Sequence, residues 1–154
     1  MARFASRAVD FNGRLTIKGP IDDIFGLFSP EGERLWVPGW NPELLHPPGV
    51  TWAQGQIFRT REEQGEAIWI VSGLDRDRHH VEYHRVEPSR YVARVRVQCA
   101  AGEDGHVDVS VAYRFIGLSH GGNREVAAME PGAYTEKMTQ WKGWIDAHLA
   151  RRTP

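Results

Sequence analysis

Residues 91–115, YVARVRVQCAAGEDGHVDVSVAYRF, decide the fold. Tyr91, Ala93, Val95, Val97 and Cys99 fall on one side of an extended chain, and Arg94, Arg96 and Gln98 on the other. Gly102-Glu103-Asp104-Gly105 reads as a hairpin turn. Beyond it Val107, Val109, Val111, Tyr113 and Phe115 take one side, and Asp108, Ser110 and Arg114 the other. A period of two with one apolar side is a strand with one dry face. The stretch is therefore two long antiparallel strands, each needing cover on the same side.

The alternation continues upstream. Residues 56–61, 67–74 and 80–86 read as strands joined by short polar links such as Asp75-Arg76-Asp77-Arg78 and Glu87-Pro88-Ser89. Short links make the pairing antiparallel. Near the start, Val9, Phe11, Leu15 and Ile17 alternate with Asp10, Asn12, Arg14, Thr16 and Lys18, giving one more strand and six in all. Gly13 falls on its dry face, which predicts a bulge or the close approach of another element.

Between the first strand and the rest, Ile21, Ile24, Phe25 and Phe28 recur at helical spacing. Ser29-Pro30-Glu31 signals a second short helix, with Ser29 as cap and Pro30 in the first turn. Residues 38–55 hold four prolines and three glycines, a loop with a brief extended piece near Glu43 and Leu45. Residues 119–123 read as a loop containing Gly121 and Gly122. Pro131 opens a last helix, where Tyr134, Met138, Trp141, Ile145 and Leu149 form one apolar stripe about five turns long.

The sheet and the long helix each expose one apolar surface, and these must bury each other. A twisted antiparallel sheet of this size curls, so the helix lies in its concave face. The expected fold class is α+β: a curved antiparallel sheet of about six strands around a long C-terminal helix, with two short helices after strand one. The 154 residues suit a single domain, its core at about 8–150. A sheet wrapped on one helix leaves a gap, and that gap is a natural pocket.

The element order resembles the helix-grip fold of the START and birch-pollen-allergen superfamily, SRPBCC. The motifs that carry the likeness are Glu33-Arg34-Leu35-Trp36, Gly39-Trp40-Asn41-Pro42, Trp69 and Tyr83. Leu118-Ser119 with Gly122-Asn123, then Tyr134 and Trp141, resemble one bacterial branch. The resemblance covers roughly residues 10–149 and implies a ligand cavity. It does not choose among the superfamily's lipid carriers, polyketide cyclases and dehydrases, hydrolases, oxygenase subunits and chaperone activators.

Composition narrows the partners. Hydrophobic residues make up 41% and charged residues 25%, with a net charge of −1, so nucleic acid and anionic membrane are poor partners. No apolar run approaches the roughly 18 residues of a membrane span. No signal peptide is read at the N-terminus, and one cysteine permits no intrachain disulfide, so a cytoplasmic setting is expected. No cofactor is called for; a small hydrophobic molecule is the expected partner, with a homodimer left open.

Trp36, Trp40, Phe58, Trp69, Tyr83, Tyr113, Tyr134 and Trp141, with Val97, Val109 and Met138, are the candidate ligand-binding residues. Each alone is more often plain core. Trp36 and Trp40 are expected at the pocket mouth.

Arg85 shares the parity of Val81 and Tyr83, so it is a weak catalytic candidate that points inward to a ligand carboxylate. The favoured reading instead puts it at the strand end, in solvent or paired with Glu62, Glu63 or Glu87. Glu33, a second weak candidate, is a general base near the mouth or, more ordinarily, half of a surface pair with Arg34. His80, Glu82 and His84 share a strand face, but that face is wet and Arg94 and Arg96 offer Glu82 a partner, so no metal site is assigned. His79, His106, His120 and His148 read as turn or surface residues. Cys99 reads as an inert core thiol. Three functions remain: a binding protein for a lipid, polyketide or aromatic metabolite, a cyclase or dehydrase, and an interaction or chaperone-cofactor module.

Overall fold

The computed structural model describes residues 3–49 and 51–152. Its strands are β1 (Ala8–Lys18), β2 (Glu43–His46), β3 (Ile57–Glu62), β4 (Gly65–Asp75), β5 (His80–Glu87), β6 (Tyr91–Ala101) and β7 (His106–Gly117). The helices are α1 (Ile21–Gly26), α2 (Pro30–Glu33), α3 (His120–Ala127) and α4 (Pro131–Arg152). All strands join one antiparallel sheet in the order β1-β7-β6-β5-β4-β3-β2.

Two elements correct the sequence reading. The brief extended piece within the proline-rich stretch is a seventh strand, β2, which pairs Leu44 with Phe58. The glycine pair at 121–122 lies in a helix, α3, and not in a loop. Ser119 caps that helix, accepting from Gly122 N at 2.9 Å. A β-carbon on Gly122 would overlap the Arg90 carbonyl, so the glycine here allows a helix to dock on the β5–β6 turn. Asn123 then holds the N-terminal segment, donating to Ala5 O and accepting from Arg7 N, both at 2.9 Å. Ser119 with Gly122-Asn123, part of the motif that resembles one bacterial branch, is thus a clasp between α3, the β5–β6 turn and the N-terminal segment.

The dry faces read from parity form the core. Val81, Tyr83, Ala93, Val95, Val97, Val107, Val109 and Val111 are all buried. In β4 the register slips at Ser72, so Val71 faces Tyr83 while Gly73 faces Glu82. This bulge moves the inward position to Leu74 and bends the sheet. Ser29 caps α2 as read, accepting from Gly32 N at 2.9 Å.

The closest backbone approach of α4 to the sheet is at β1. Gly13 permits it by close approach, with β1 unbulged: the Met138 side chain fills the place of the missing β-carbon. Tyr134, one turn away, stacks on Phe11 at 4.2 Å and 11°. Farther across the sheet the helix stands off, and the space opens. The polar surprise on α4 is His148, which is buried, not superficial; burial and the nearby Arg152 and Arg151 lower its pKa.

Candidate functional site

A cavity of about 1360 Å³ lies between the inner faces of β3–β7, α4 and the segment after α2. Its wall begins with cross-strand pairing. Phe58 of β3 sits opposite Trp69 of β4, and their rings stack at 5.5 Å and 11°. Trp69 in turn sits opposite Arg85 of β5, which brings the guanidinium to 5.4 Å from the indole. Tyr83 meets both Phe58 and Trp69 edge-on at 6.1 Å. Trp40 comes from the loop and packs edge-on to Trp69 at 5.5 Å.

Hydrogen bonds hold these rings in place. Trp69 Nε1 donates to Thr60 Oγ1 at 3.0 Å, Trp40 Nε1 to Pro30 O at 2.8 Å, and the Tyr83 hydroxyl to Phe28 O at 2.7 Å. The polar edges are consumed by the scaffold, so the cavity is offered mainly ring faces. Val97, Tyr113 and Trp141 complete the apolar wall among the expected residues.

Four expected ligand residues do not reach the cavity. Trp36 is buried behind it: its Nε1 donates to Leu27 O at 2.7 Å and its ring packs against Phe28 and Trp141. It is a brace for the short helices and not a mouth residue. Val109, Tyr134 and Met138 are packed into the core on the β1–β7 side, where α4 touches the sheet. The reason is geometric: a helix that leans on β1 leaves a gap only on its other flank.

The outer end of the cavity is bordered by residues 38–42 and by the β3–β4 hairpin. Arg34 ties down the first of these, donating to Asn41 Oδ1 at 2.8 Å and to the Pro42 carbonyl. The later part of the proline-rich loop lies elsewhere. Trp52 packs against Phe25 at 4.9 Å and under Arg76.

Besides the charged side chains of β2, β3 and the β3–β4 hairpin at its outer end, the cavity is lined by three more ionisable side chains, Glu33, Arg85 and Lys137. Arg34 pairs with Glu31 at 3.1 Å, so Glu33 lacks the partner expected from the sequence. Glu33 is half-buried by surface area yet enclosed by protein, because its open side is the cavity. Burial pushes its carboxyl well above the usual carboxylate range. Arg85 combines the two alternatives read from sequence. Its Nε lies 3.3 Å from Glu87 Oε2, and the side chain also lines the cavity. The third is Lys137, which sequence reasoning passed over. Its Nζ stands 5.0 Å from the ring centres of both Tyr113 and Tyr134. Burial, then the charge of Arg85, lowers its pKa to about 8. The available signal was its spacing, three after Tyr134 and four before Trp141.

The remaining candidates are structural. Glu82 bonds Arg96 at 2.7 Å and Ser72 at 2.9 Å, and His84 Nδ1 lies 2.7 Å from Ser72 Oγ. The Cys99 thiol is buried, which pushes it up to about 12. Among the described residues no helix is long and apolar enough to cross a membrane.

No protein-family model matches this sequence, and no curated protein matches it significantly. Solved structures do match over nearly the whole chain. Norcoclaurine synthase from Thalictrum flavum, in complex with dopamine and hydroxybenzaldehyde, superposes with a TM-score of 0.66 at 12% identity, covering 93% of this chain and 89% of that one. The ginseng major latex-like protein 151 from Panax ginseng gives 0.68 at 14% identity, over 92% and 97%. A hypothetical protein from Helicobacter pylori gives 0.70 at 10% identity, over 93% and 87%. With its seven-stranded sheet wrapped on a long C-terminal helix, the chain has the helix-grip fold of the START and birch-pollen-allergen superfamily.

Proposed function

We propose that this protein binds a small, ring-bearing hydrophobic molecule in the cavity between sheet and α4. The observation that carries the reading is the aromatic wall. Trp40, Phe58, Trp69, Tyr83, Tyr113 and Trp141 surround about 1360 Å³ of space that the core leaves unfilled. The ring faces of this wall favour an apolar guest, at about 25 cal/mol per Å² before ordering costs. A structural neighbour with this fold holds two aromatic compounds, which supports a ring-bearing guest over a plain acyl chain. The interaction-module reading is less supported: the exposed large apolar residues Phe4, Leu35, Leu45 and Leu118 lie on four separate segments.

A second reading, a cyclase or dehydrase acting on such a guest, is favoured by one observation. Glu33 is a carboxyl whose pKa burial raises well above the usual carboxylate range, and it lines the same space as Lys137. An acid and an amine facing one guest suit proton transfer.

The test is titration with the neutral fluorophore N-phenyl-1-naphthylamine. Saturable enhancement that Trp69→Ala weakens by about tenfold, roughly 1.4 kcal/mol, is expected. A folded protein that gives no enhancement counts against the binding reading.

A further inference from the structure

We propose that the guest carries a carboxylate on its apolar body, with the Lys137 ammonium and the Arg85 guanidinium as its counter-charges. This rests on the cavity reading above and adds the chemistry of the head group.

The inference comes from an imbalance of charge. Lys137 lies on the flank of α4 that turns toward the cavity. Its surroundings are the faces of Tyr113 and Tyr134, and among the described residues it makes no ion pair or hydrogen bond. Ring faces attract a cation but replace only part of its lost hydration. Arg85 is compensated only in part. Its contact with Glu87 lacks hydrogen-bond geometry, and its Nε is buried without a hydrogen-bond partner. Glu87 is in any case shared, since Arg90 Nη1 lies 2.6 Å from its Oε1. Of the other carboxyls that line the cavity, Glu43 and Glu66 pair with Arg59, Glu62 accepts from Thr60, and Glu33 is shifted toward its neutral form; none of them pairs with Lys137 or Arg85. Lys137 and Arg85 therefore line one cavity with a single carboxylate among the described residues, itself shared, in ion-pair reach of either.

Burying a cation without a counter-charge is unfavourable, and the acidity of Lys137 reports the same deficit. A ligand carboxylate between the two groups removes it and gains charge-assisted hydrogen bonds. The stacked wall of Phe58 and Trp69 then takes the ring of the guest. A neutral guest of the same shape leaves both cations as they were.

The experiment displaces bound N-phenyl-1-naphthylamine with 2-naphthylacetate and, separately, with 2-naphthylacetamide. The acid should displace about tenfold better at pH 7. That preference should disappear in Lys137→Met, shrink in Arg85→Met and survive in Lys137→Arg. It should also fall above pH 8 as Lys137 loses its proton. The groups that face Lys137 are Arg85, Tyr113 and Tyr134. Burial raises both tyrosine hydroxyls, that of Tyr134 to about 12, so neither titrates in this window. Equal displacement by acid and amide, or a full acid preference in Lys137→Met, overturns the inference while leaving the cavity reading intact. Failure of the neutral fluorophore to bind overturns both.

Discussion

Met138 occupies the space that a β-carbon on Gly13 would need: such a carbon would lie 2.9 Å from the Met138 sulfur and closer still to Cγ. This contact sets how deeply α4 sits on β1, and so how wide the gap is on its other flank. A helix pushed outward here would change the cavity without touching its wall.

Gly13→Ala should therefore lower stability by about 1–3 kcal/mol, the usual cost of overpacking. Met138→Ala should relieve part of that loss. Urea unfolding of both single variants and the double variant measures it. Strictly additive costs would show that the two residues do not compete for one space.

Trp36→Phe should destabilise the protein and leave fluorophore affinity within about twofold. The buried Leu27 carbonyl loses its donor, a loss of about 1–3 kcal/mol. The ring does not line the cavity, so the guest should not respond. A tenfold loss of affinity in a folded Trp36→Phe protein would return that residue to the binding wall.

Glu33 gives a pH dependence with a definite sign. Its folded-state pKa is raised above the unfolded value, so the native state holds a proton that the unfolded chain releases. Below the unfolded pKa this has no effect. As pH rises from about 4.5 toward the folded pKa, stability falls, by about 1.4 kcal/mol for each tenfold preference for the protonated form. Glu33→Gln should flatten that decline and be more stable than the parent at pH 7. Urea midpoints at pH 5 and pH 8 for both proteins decide it, and parallel pH profiles would sink the assignment.

Gly122→Ala tests the clasp of α3. The added carbon would lie 2.7 Å from the Arg90 carbonyl carbon and overlap its oxygen. Backbone cannot yield as a flexible side chain does, so a loss of about 3 kcal/mol is expected. Gly121→Ala, whose nearest neighbour would be 3.7 Å away, should be nearly neutral. A thermal-melt comparison of the pair suffices, and similar melting temperatures would refute the close approach.

The dry faces of β1 and β5–β7, the existence of β3 and β4, the stripe on α4 and the cap at Ser29 were legible in the sequence alone, because each depends on local period or on a residue's own hydrogen-bonding reach. From these the helix-grip architecture follows. Seven of the eleven expected ligand residues line the cavity, six of them on strands or helices and Trp40 in a loop. What the sequence left undecided depends on where α4 leans. Tyr134 and Met138 share a stripe with Trp141, yet the first two seal β1 while the third borders open space. Parity put Arg85 on the face of Val81 and Tyr83 but did not decide between the cavity and Glu87, nor reveal that Glu87 is shared with Arg90. Lys137 reads locally as a solvated flank residue, and only the stand-off of α4 from β5 and β6 encloses it. Periodicity reports which side of an element is covered. The distance between two covered sides, and hence whether they form core or cavity, is a property of the packed whole.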